Sequence, residues 1–493
     1  MASADIDNFD PATVLAALGV APRRITSDSR RVGGGAAFAA YPGLRLDGRA
    51  FIGDAVTRGA AAVLWEKHGF AWPADVRVPQ QGVDGLQGRL GAIASLIYGR
   101  PSHDLWMVGV TGTNGKTSCT HWIAQATEAC GKRAALVGTL GSGRIGALTP
   151  TRHTTPDVCA LHETLAQFRR AGVTTVAMEV SSHGLDQGRV NGVEFDVALF
   201  TNLTRDHLDY HGTMAAYGQA KARLFAWPGL HAAVINADDA FGQGLIDAAR
   251  GRGQRVLSYG FTHADIAATG IALPGAGIAL SVATPWGRGA MQTRVVGAFN
   301  AQNLLGVLGV LLESGVALPA ALDALGTVTP PPGRMQRLGG DGRPLVVVDY
   351  AHTPDALEQA LTALKPAVAG AGELVCVFGC GGDRDKGKRA EMGRVAATLA
   401  DRVVVTTDNP RGEEPADIAH AIVRGVRQTN ARRWHVELDR AAAIRAAIAG
   451  AKSADVVLIA GKGHETYQEI AGVRQPFSDA GEAEAAMAAW SGA

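Results

Sequence analysis

The sequence predicts an α/β protein built around buried, mainly parallel sheets, and three observations lead to this class. From about residue 105 onward, short runs of Val, Ile and Leu alternate with longer alanine-rich segments of helical character. The alternation restarts after a Pro- and Gly-rich stretch at 328–338. The chain of 493 residues is also long enough for about three domains of typical size. Continuous apolar strands joined by helices are typical of parallel sheets covered on both faces, so we expect two doubly wound domains after a smaller N-terminal one.

Apolar runs predict the strands of the two larger domains. In the central domain they lie at 105–110, 174–180, 196–202 and 232–237. Residues 264–297 interrupt this rhythm, which predicts short antiparallel strands attached to the central domain. In the C-terminal domain the runs lie at 345–350, 373–379, 402–407 and 455–461, as in a Rossmann-like sheet. We therefore expect three domains, at 1–101, 102–332 and 333–493.

The composition argues against several classes of protein. Lys plus Arg number 47 against 46 Asp plus Glu, whereas chains that bind nucleic acid or anionic membranes favour a basic excess. The five cysteines offer no disulfide framework and no metal-ligand spacing, so we interpret them as buried thiols. The N-terminal segment lacks the features of a signal peptide, and no apolar run reaches the length of a membrane span. We expect a cytoplasmic monomer with small-molecule partners, without nucleic acid and without membrane insertion.

The segment GVTGTNGKTS at 109–118 carries the strongest local signal for a ligand. It follows a predicted strand and opens a helical stretch. The full phosphate-loop template requires a glycine where this chain has Val110, so only the shorter pattern from Gly112 to Thr117 remains. Glycines let backbone N–H groups approach phosphate oxygens, a helix N-terminus favours negative charge, and Lys116 adds a cation. The segment therefore predicts a phosphate site in preference to a structural loop.

Polar residues also follow later strands of the central domain. Glu179 lies at a strand end, where ligands collect in open α/β sheets, and its carboxylate suits Mg²⁺. His207 comes just after the next strand, and spacing alone favours a capping or buried histidine over a metal ligand. Lys221 shares a helical face with Tyr217, and spacing alone does not exclude a solvated lysine there.

A charged segment, TTDNPRGEEP at 406–415, follows a predicted strand of the C-terminal domain. Asp408, Asn409 and Pro410 are ordinary turn residues. Arg411, placed between that turn and two glutamates, is less usual. Taken alone, the segment favours a strand-ending turn with solvated charges over a site for a charged ligand.

Eleven motifs occur in one order along the chain, and together they resemble a known family. They are GTNGKT, TTP (154–156), EVSSHGL, TNLTRDHLDYHG, YGQAKARLF, FNAQN (299–303), GRMQ (333–336), DYAHTPD (349–355), GCGGDRDKGKR (379–389), DNPR and GKGHE (461–465). The set resembles the Mur ligases, the ATP-dependent amino-acid ligases of bacterial peptidoglycan precursor synthesis, over nearly the whole chain. The resemblance implies a three-domain architecture with a central parallel-sheet ATP-binding domain and a Rossmann-like C-terminal domain.

The resemblance assigns roles to residues of the central domain. Catalytic roles fall to Lys116, Glu179, His207 and Lys221. The metal ligands would be Thr117, Glu179, His207 and Lys221, with two Mg²⁺ ions. Lys221 is implied to be carbamylated, which turns a cation into an oxygen-bearing anion able to bind a second Mg²⁺. The residues implied to contact ATP are Gly112, Thr113, Asn114, Gly115, Lys116, Thr117, Ser118, Asn303, Arg334 and Asp349.

Two further subsites follow from the resemblance. The UDP-linked dipeptide would contact Ser27, Ser29, Leu44, Arg45, Leu46, His153, Thr154, Thr155, Ser181, Gln187 and Arg189. His153 stands where the family usually has Asn, and 44–46 is a variable stretch. The incoming amino acid would contact Arg384, Asp408, Asn409, Pro410, Arg411, Gly461 and Glu465. Meso-2,6-diaminopimelate is lysine with a second amino-acid head group, so Arg411 would grip the additional carboxylate, Asn409 would bond it, and Glu465 would pair with the ammonium beside it.

The implied reaction is the ATP-dependent addition of meso-2,6-diaminopimelate to the D-Glu of UDP-N-acetylmuramoyl-L-alanyl-D-glutamate, through an acyl phosphate. The same step with L-lysine, a different step of the pathway and a folylpolyglutamate-type ligase are alternatives within the ligase class. A phosphate-loop NTPase that acts as a switch or motor is an alternative from another class. The chain lacks the N-K-x-D signature of guanine-nucleotide switches, which argues against that class.

Overall fold

The computed structural model describes residues 9–43, 46–151, 153–273, 277–340 and 342–492. Its N-terminal part is a sheet of four short parallel strands in sequence order, with helices beside it. The elements are α1 (Pro11–Ala17), β1 (Arg24–Thr26), β2 (Ala36–Ala40), α2 (Ile52–Thr57), β3 (Ala62–Glu66), β4 (Gln80–Val83) and α3 (Leu86–Ile97), with 3₁₀ turns at Ser29–Arg31, Gly48–Phe51 and Pro101–Asp104.

The central part begins with the strand that leads into the phosphate loop. Its elements are β5 (Trp106–Thr111), α4 (Lys116–Ala129), β6 (Ala134–Gly138), β7 (Gly141–Arg144), β8 (Ala147–Thr149), α5 (Val158–Arg170), β9 (Thr175–Glu179), α6 (Ser182–Asp186), β10 (Val197–Phe200), α7 (Leu208–His211), α8 (Met214–Ala222), β11 (Ala232–Asn236), α9 (Ala240–Gly251), β12 (Val256–Gly260), β13 (Ile266–Ala272), β14 (Ile278–Thr284), β15 (Gly287–Thr293), α10 (Ala298–Glu313) and α11 (Leu318–Gly326), with a 3₁₀ turn at Arg223–Ala226.

The central sheet has eleven strands in the order β15-β14-β13-β12-β11-β10-β5-β9-β6-β7-β8. Strands β12, β11, β10, β5, β9 and β6 are parallel, and buried apolar residues cover both faces of the sheet. The four predicted central strands are confirmed as β5, β9, β10 and β11. The antiparallel strands predicted within 264–297 are confirmed too, and they continue the central sheet at its edge.

The C-terminal part contains a six-stranded sheet and a separate two-stranded hairpin. Its elements are β16 (Gln336–Gly339), β17 (Leu345–Asp349), α12 (Pro354–Leu364), β18 (Leu374–Phe378), α13 (Lys388–Leu399), β19 (Arg402–Val405), α14 (Pro415–Val426), β20 (Trp434–Val436), α15 (Arg440–Ala449), β21 (Val456–Ala460), β22 (Tyr467–Ile470), β23 (Val473–Pro476) and α16 (Asp479–Ala489), with a 3₁₀ turn at Lys365–Ala367.

The six-stranded C-terminal sheet has the order β16-β17-β21-β18-β19-β20 and is parallel except for β16. The four predicted strands are confirmed as β17, β18, β19 and β21. Because β19 and β21 flank β18 in the same direction, the loops after them leave the sheet at one edge. Those loops carry the segments 408–411 and 461–465.

Helix α3 is fitted tightly against the loop that follows α6 in the central part. A Cβ added at Gly91 of α3 would overlap the backbone of Asn191, and one added at Gly192 would overlap the backbone of Gly91. Backbone therefore packs against backbone here. Across the part of the chain that the structure describes, none of the helices has both the length and the apolar character needed to cross a membrane.

Candidate active site

The loop between β5 and α4 wraps its own backbone around a lysine. Lys116 Nζ donates to the carbonyl oxygens of Gly112 at 2.9 Å and Thr113 at 2.8 Å. A side chain at Gly112 would overlap the Thr201 hydroxyl, so only glycine fits there. Helix α4 starts directly at Lys116, which places its N-terminal N–H groups at the same point. This is the geometry of a phosphate loop.

A second lysine reaches the same carbonyl group. Lys221, on α8, is only 1% exposed, and its Nζ donates to the Gly112 oxygen at 2.7 Å. The Tyr217 ring lies 4.4 Å from the ammonium. Burial, reinforced by the charge of Lys116, lowers the pKa of Lys221 well below its ordinary value, and burial also lowers the pKa of Lys116. Two buried amino groups thus share one carbonyl oxygen, and this environment favours the neutral form of Lys221.

Glu179 is buried at the end of β9 beside this loop. Its Oε2 accepts from the Thr117 hydroxyl at 3.1 Å and from the Thr139 hydroxyl at 3.1 Å, and its Oε1 accepts from the Thr139 N–H at 2.8 Å. A side chain at Gly138 would overlap this carboxylate. The three donors are all uncharged, so the carboxylate keeps its negative charge available for a cation.

His207 lies at the start of α7 with a left-handed backbone, φ 54°. Its ring contacts the rings of His183 and Tyr217, and the Tyr217 hydroxyl is 3.2 Å from the Thr113 hydroxyl of the phosphate loop. Its Nε2 lies 3.5 Å from Asp206. Burial lowers the pKa of His207 to about 3, so its imidazole is neutral, as a metal ligand requires.

The residues predicted to hold Mg²⁺ offer the ligand chemistry that this ion prefers. Glu179 and Thr117 supply adjacent oxygens, and a carbamate on Lys221 would add more. Within the described ranges, no group of three His, Cys, Asp or Glu side chains is arranged to hold a metal ion alone. Mg²⁺ commonly combines one or two protein oxygens with substrate phosphates and water, so these residues fit Mg²⁺ bound together with a nucleotide.

A cavity of about 400 Å³ lies between the central and C-terminal sheets, next to the phosphate loop. Of the residues predicted to contact ATP, those that line it are Asn114, Gly115, Ser118, Asn303, Arg334 and Asp349. Arg334 Nη2 donates to the Thr117 hydroxyl at 3.0 Å, while its buried Nε has no partner among the described residues. Asp349 accepts from the Met335 N–H at 2.7 Å. An unpartnered buried donor beside a phosphate loop is suited to an anionic ligand.

Two cavity-lining residues were not singled out from the sequence, although both belong to the motif DYAHTPD. Tyr350 lies under the Arg334 guanidinium, 4.5 Å from ring centroid to Cζ. Asp355 accepts from Asn114 Nδ2 at 3.0 Å, which links the phosphate loop to the C-terminal part. The available sequence signal for both was their position shortly after a predicted strand of a parallel sheet, where ligands bind.

Four of the residues predicted to contact the dipeptide form one hydrogen-bonded group near Glu179. The Thr155 hydroxyl donates to the Glu179 carbonyl at 2.9 Å and lies 3.0 Å from the Ser181 hydroxyl. Arg189 Nη1 donates to the Thr155 carbonyl at 2.9 Å, and its Nη2 donates to Gln187 Oε1 at 2.6 Å.

The remaining dipeptide residues lie around this group and in the N-terminal part. The Thr154 hydroxyl lies 3.0 Å from the Thr139 hydroxyl, and His153 precedes it on an exposed turn. Ser27 bonds the half-buried Tyr41 hydroxyl, whose raised pKa, about 12, comes from burial. Ser29 is buried and bonds Asp54. Leu46 is 68% exposed, and Leu44 and Arg45 lie outside the described residues.

The segments 408–411 and 461–465 meet at the edge of the C-terminal sheet. Asn409 Nδ2 donates to Glu465 Oε2 at 2.8 Å, although 56 residues separate them. A side chain at Gly461 would contact the Asp408 carboxylate, and one at Gly382 would overlap Pro410. Residues 408–411, 461 and 465, which are predicted to bind the incoming amino acid, therefore form one group.

Arg411 adopts a left-handed backbone, φ 51°, and its Nη1 donates to the Gly382 carbonyl at 2.8 Å. Arg384, exposed, donates to the Asp383 carbonyl at 3.0 Å. Both side chains border Gly381, where an added Cβ would lie 2.9 Å from Arg411 Nη1 and 3.9 Å from Arg384 Cγ. The side chains of Arg384 and Arg411 thus both approach Gly381.

The hairpin β22–β23 holds this group from one side and was missed in the sequence. The Arg411 N–H donates to the Glu469 carbonyl at 3.1 Å, and the Glu469 N–H donates to Asn409 Oδ1 at 2.9 Å. Lys462, also not singled out, lies fully buried between Asn409 and Glu465. The dipeptide Ala471–Gly472, with positive φ at both residues, was the available hairpin signal.

Comparisons with known proteins agree with this geometry. Three family models match the chain: "Mur ligase family, catalytic domain" at 23–96, "Mur ligase middle domain" at 110–311 and "Mur ligase, glutamate ligase domain" at 333–463. The chain is 53% identical over 486 residues to a curated protein of Chromobacterium violaceum named UDP-N-acetylmuramoyl-L-alanyl-D-glutamate--2,6-diaminopimelate ligase, with 98% of each chain covered. It is 51% identical to the protein of that name from Neisseria meningitidis serogroup B, with 94% of each covered.

Solved structures show the same relation. A structure titled as that ligase is 39% identical to the chain, covers 95% of each chain and superposes with a TM-score of 0.68. The family models, the relatives that match nearly the whole chain, and the α/β architecture with its central parallel sheet agree. The chain belongs to the Mur ligase family.

Proposed function

We propose that the chain is an ATP-dependent, ADP-forming ligase that joins meso-2,6-diaminopimelate to the D-Glu of UDP-N-acetylmuramoyl-L-alanyl-D-glutamate. One observation carries the proposal: the group at 408–411 and 461–465 combines a cationic and an anionic side chain at the same sheet edge. The relatives named above bear the name of this ligase and match nearly the whole chain. A phosphate loop beside the cavity between the central and C-terminal parts supports activation by ATP.

The chemistry requires activation because a carboxylate is a poor electrophile. An oxygen of the D-Glu γ-carboxylate attacks the γ-phosphorus of ATP, the bond to the bridging oxygen breaks, and ADP leaves. The amine nitrogen then attacks the carbonyl carbon of the acyl phosphate, inorganic phosphate leaves, and the amine releases a proton. Lys116 and Arg334 lie beside the predicted position of the phosphates, where preorganised positive charge stabilises the transferring group.

Mg²⁺, when bound by Glu179, Thr117 and His207, would supply Lewis-acid neutralisation of the phosphate oxygens. The role of Lys221 depends on carbamylation. Its neutral Nζ would add to the carbon of CO₂ with loss of a proton, and the lowered pKa of Lys221 favours the neutral amine that this reaction needs. The number of ions, two in our reading, stays a prediction, as do the monomeric state and the cytoplasmic location.

The amino-acid pocket distinguishes the two nearest alternatives. Diaminopimelate carries one carboxylate more than lysine, and a guanidinium binds a carboxylate through two parallel hydrogen bonds. Arg411 Nη1 donates to the Gly382 carbonyl, and no other side-chain hydrogen bond of Arg411 is formed among the described residues. Its remaining N–H groups can therefore bind that carboxylate. Lysine lacks the additional carboxylate with which this guanidinium would pair, so the charge of Arg411 favours diaminopimelate.

The test is ATP-dependent phosphate release with the UDP-linked dipeptide and a panel of amino acids. We expect turnover with meso-diaminopimelate and little with L-lysine, D-alanine or L-glutamate. Mass spectrometry of the product should show amide formation equal to phosphate release. Turnover with L-lysine in preference to diaminopimelate would overturn the substrate assignment, and phosphate release without an amino acid would favour an NTPase.

A further inference from the structure

Lys462 is a fully buried lysine that no step of the proposed reaction uses. It follows β21 directly after Gly461, and its side chain has no exposed surface. Its Nζ donates to Asn409 Oδ1 at 3.0 Å and to Glu465 Oε2 at 2.8 Å. Tyr467 of the hairpin lies beside it, 5.6 Å from ring centroid to Nζ. Burying an ammonium is costly unless it is paired, so this position requires an explanation.

The hydrogen-bond chemistry of Lys462 determines how the Asn409 side chain is oriented. An ammonium has three donors and no acceptor, so it can face only the oxygen of an amide. The Glu469 N–H, also a donor, lies 2.9 Å from the same Oδ1. If the amide were turned over, its NH₂ group would face two donors. Lys462 and the Glu469 N–H therefore direct the Asn409 NH₂ group away from themselves, toward Glu465 and the amino-acid pocket.

Lys462 also fixes the carboxylate of Glu465. The two hydrogen bonds to this carboxylate, from Lys462 Nζ and Asn409 Nδ2, both end on Oε2. Neither bond uses Oε1, which is left for a cationic group of a ligand. A single buried ammonium thus presents an N–H donor for a carboxylate and, next to it, a carboxylate oxygen for an ammonium. These are the two charged groups of an α-amino acid.

We propose that Lys462 is a positioning residue that sets the donor and acceptor polarity of the amino-acid pocket. It acts through Asn409 and Glu465 and does not itself touch the substrate. The proposal rests on the proposed function, because it takes 408–411 and 461–465 as the amino-acid subsite. It adds the reason that Asn409 and Glu465 present the correct atoms to a zwitterion.

The test compares Lys462→Met, which keeps length and removes every donor, with Lys462→Gln, which keeps N–H donors without the charge. We expect Lys462→Met to raise the KM for diaminopimelate roughly 30-fold, the size of a lost charged hydrogen bond, with the KM values for ATP and the UDP-linked dipeptide within about twofold of wild type. Lys462→Gln should recover most of the affinity. The matched control is Lys452→Met, at an exposed lysine of the same domain, with unchanged kinetics.

A uniform rise in all three KM values would overturn the proposal, because a merely structural role affects every substrate. An unchanged KM for diaminopimelate in a folded Lys462→Met enzyme would overturn it too. If Lys462→Met does not fold, Lys462→Gln carries the test, because its loss of charge should still raise the KM for diaminopimelate several-fold while the other two KM values stay unchanged. A wild-type KM for diaminopimelate in that variant would overturn the proposal. The wild-type enzyme reports on the proposed function and the variants on Lys462, so the two failures are distinguishable.

Discussion

Lys221 and Lys116 donate to one carbonyl oxygen, and this crowding of buried cations makes Lys221 a strong candidate for modification. We expect a carbamate signal in the ¹³C NMR spectrum of enzyme equilibrated with ¹³C-bicarbonate, and no such signal in Lys221→Met. The same variant should lose kcat by roughly 1,000-fold, because it removes the carbamate that would hold Mg²⁺ at the phosphates, a contribution of several kcal/mol.

The control is Lys132→Met, at an exposed lysine of the central domain, which should keep both the signal and the activity. A fully active Lys221→Met enzyme would contradict the catalytic role of this residue. Activity loss without a carbamate signal in the wild-type enzyme would instead assign the role to the unmodified amine.

Arg411 is predicted to recognise the carboxylate that distinguishes diaminopimelate from lysine. Arg411→Ala should raise the KM for diaminopimelate about 100-fold, since hydrogen bonds between charged groups contribute about 1.5 to 3 kcal/mol, while the KM for ATP stays nearly unchanged. Steady-state kinetics with each substrate varied in turn measures this. Arg474→Ala is the control, because Arg474 is an exposed arginine of the neighbouring hairpin that pairs with Glu469. Equal losses for ATP and diaminopimelate would count against the assignment.

The sequence predicted that the segments 408–411 and 461–465 lie near one another but not how their side chains are held. Asn409 and Glu465 belong to recognisable motifs, so their meeting could be expected from two strand ends at one sheet edge. Lys462 belongs to the same motif, GKGHE, yet a lysine in sequence is normally solvated. Only the packing of the hairpin around it shows that its charge is buried.

At the scale of elements, the contact between α3 and the loop at 188–193 has no room for a side chain. Gly91→Ala should lower the free energy of unfolding by about 1 to 3 kcal/mol through overpacking, and should raise the KM for the UDP-linked dipeptide because the two parts of its site move apart. Thermal denaturation and kinetics measure the two effects.

Gly88 provides a matched control on the same helix. An added Cβ there meets nothing within 4 Å, so Gly88→Ala should be neutral or stabilise the helix by about 0.5 to 1 kcal/mol. If Gly91→Ala were as stable as Gly88→Ala, the tight fit between helix and loop would be wrong.

The strands that could be predicted from the sequence are ones with both faces buried. The four strands predicted by position in each large sheet are continuous apolar runs, and those positions agree with the structure to within a few residues. The N-terminal strands have only three to five residues each and mixed compositions, which gives a weak strand signal. The hairpin β22–β23 is polar, with β23 wholly exposed, so no apolar pattern marks it. Its position depends on backbone hydrogen bonds with Arg411 and on the bond from the Glu469 N–H to the Asn409 side chain, and both partners lie far away in sequence.

At the scale of the whole molecule, an ion pair and a His–Asp contact connect the central part to the C-terminal part. Arg205 pairs with Asp385 at 3.1 Å, and His352 lies 3.6 Å from Asp206. Closure of this interface would exclude water from the acyl phosphate. Arg205→Ala should therefore release more phosphate than amide product, with kcat lowered by up to about fivefold, as expected for an ion pair with an exposed partner.

Lys365→Ala removes an ion pair whose cation is about as exposed as Arg205 and which lies within the C-terminal part, between Lys365 and Asp401. It should keep phosphate and product in a one-to-one ratio. A one-to-one ratio in Arg205→Ala as well would show that this pair has no part in excluding water.

The left-handed backbone of Arg411 has a consequence for stability. Glycine adopts that conformation without strain, whereas alanine pays roughly 1 kcal/mol there. Arg411→Gly and Arg411→Ala lack the same guanidinium, so we expect both to bind diaminopimelate equally poorly, while calorimetry finds the glycine variant more stable than the alanine variant. A stability screen alone would then rank a defective enzyme favourably. The difference between the two melting curves measures how much folding stability this chain gives up in order to hold an arginine at that point.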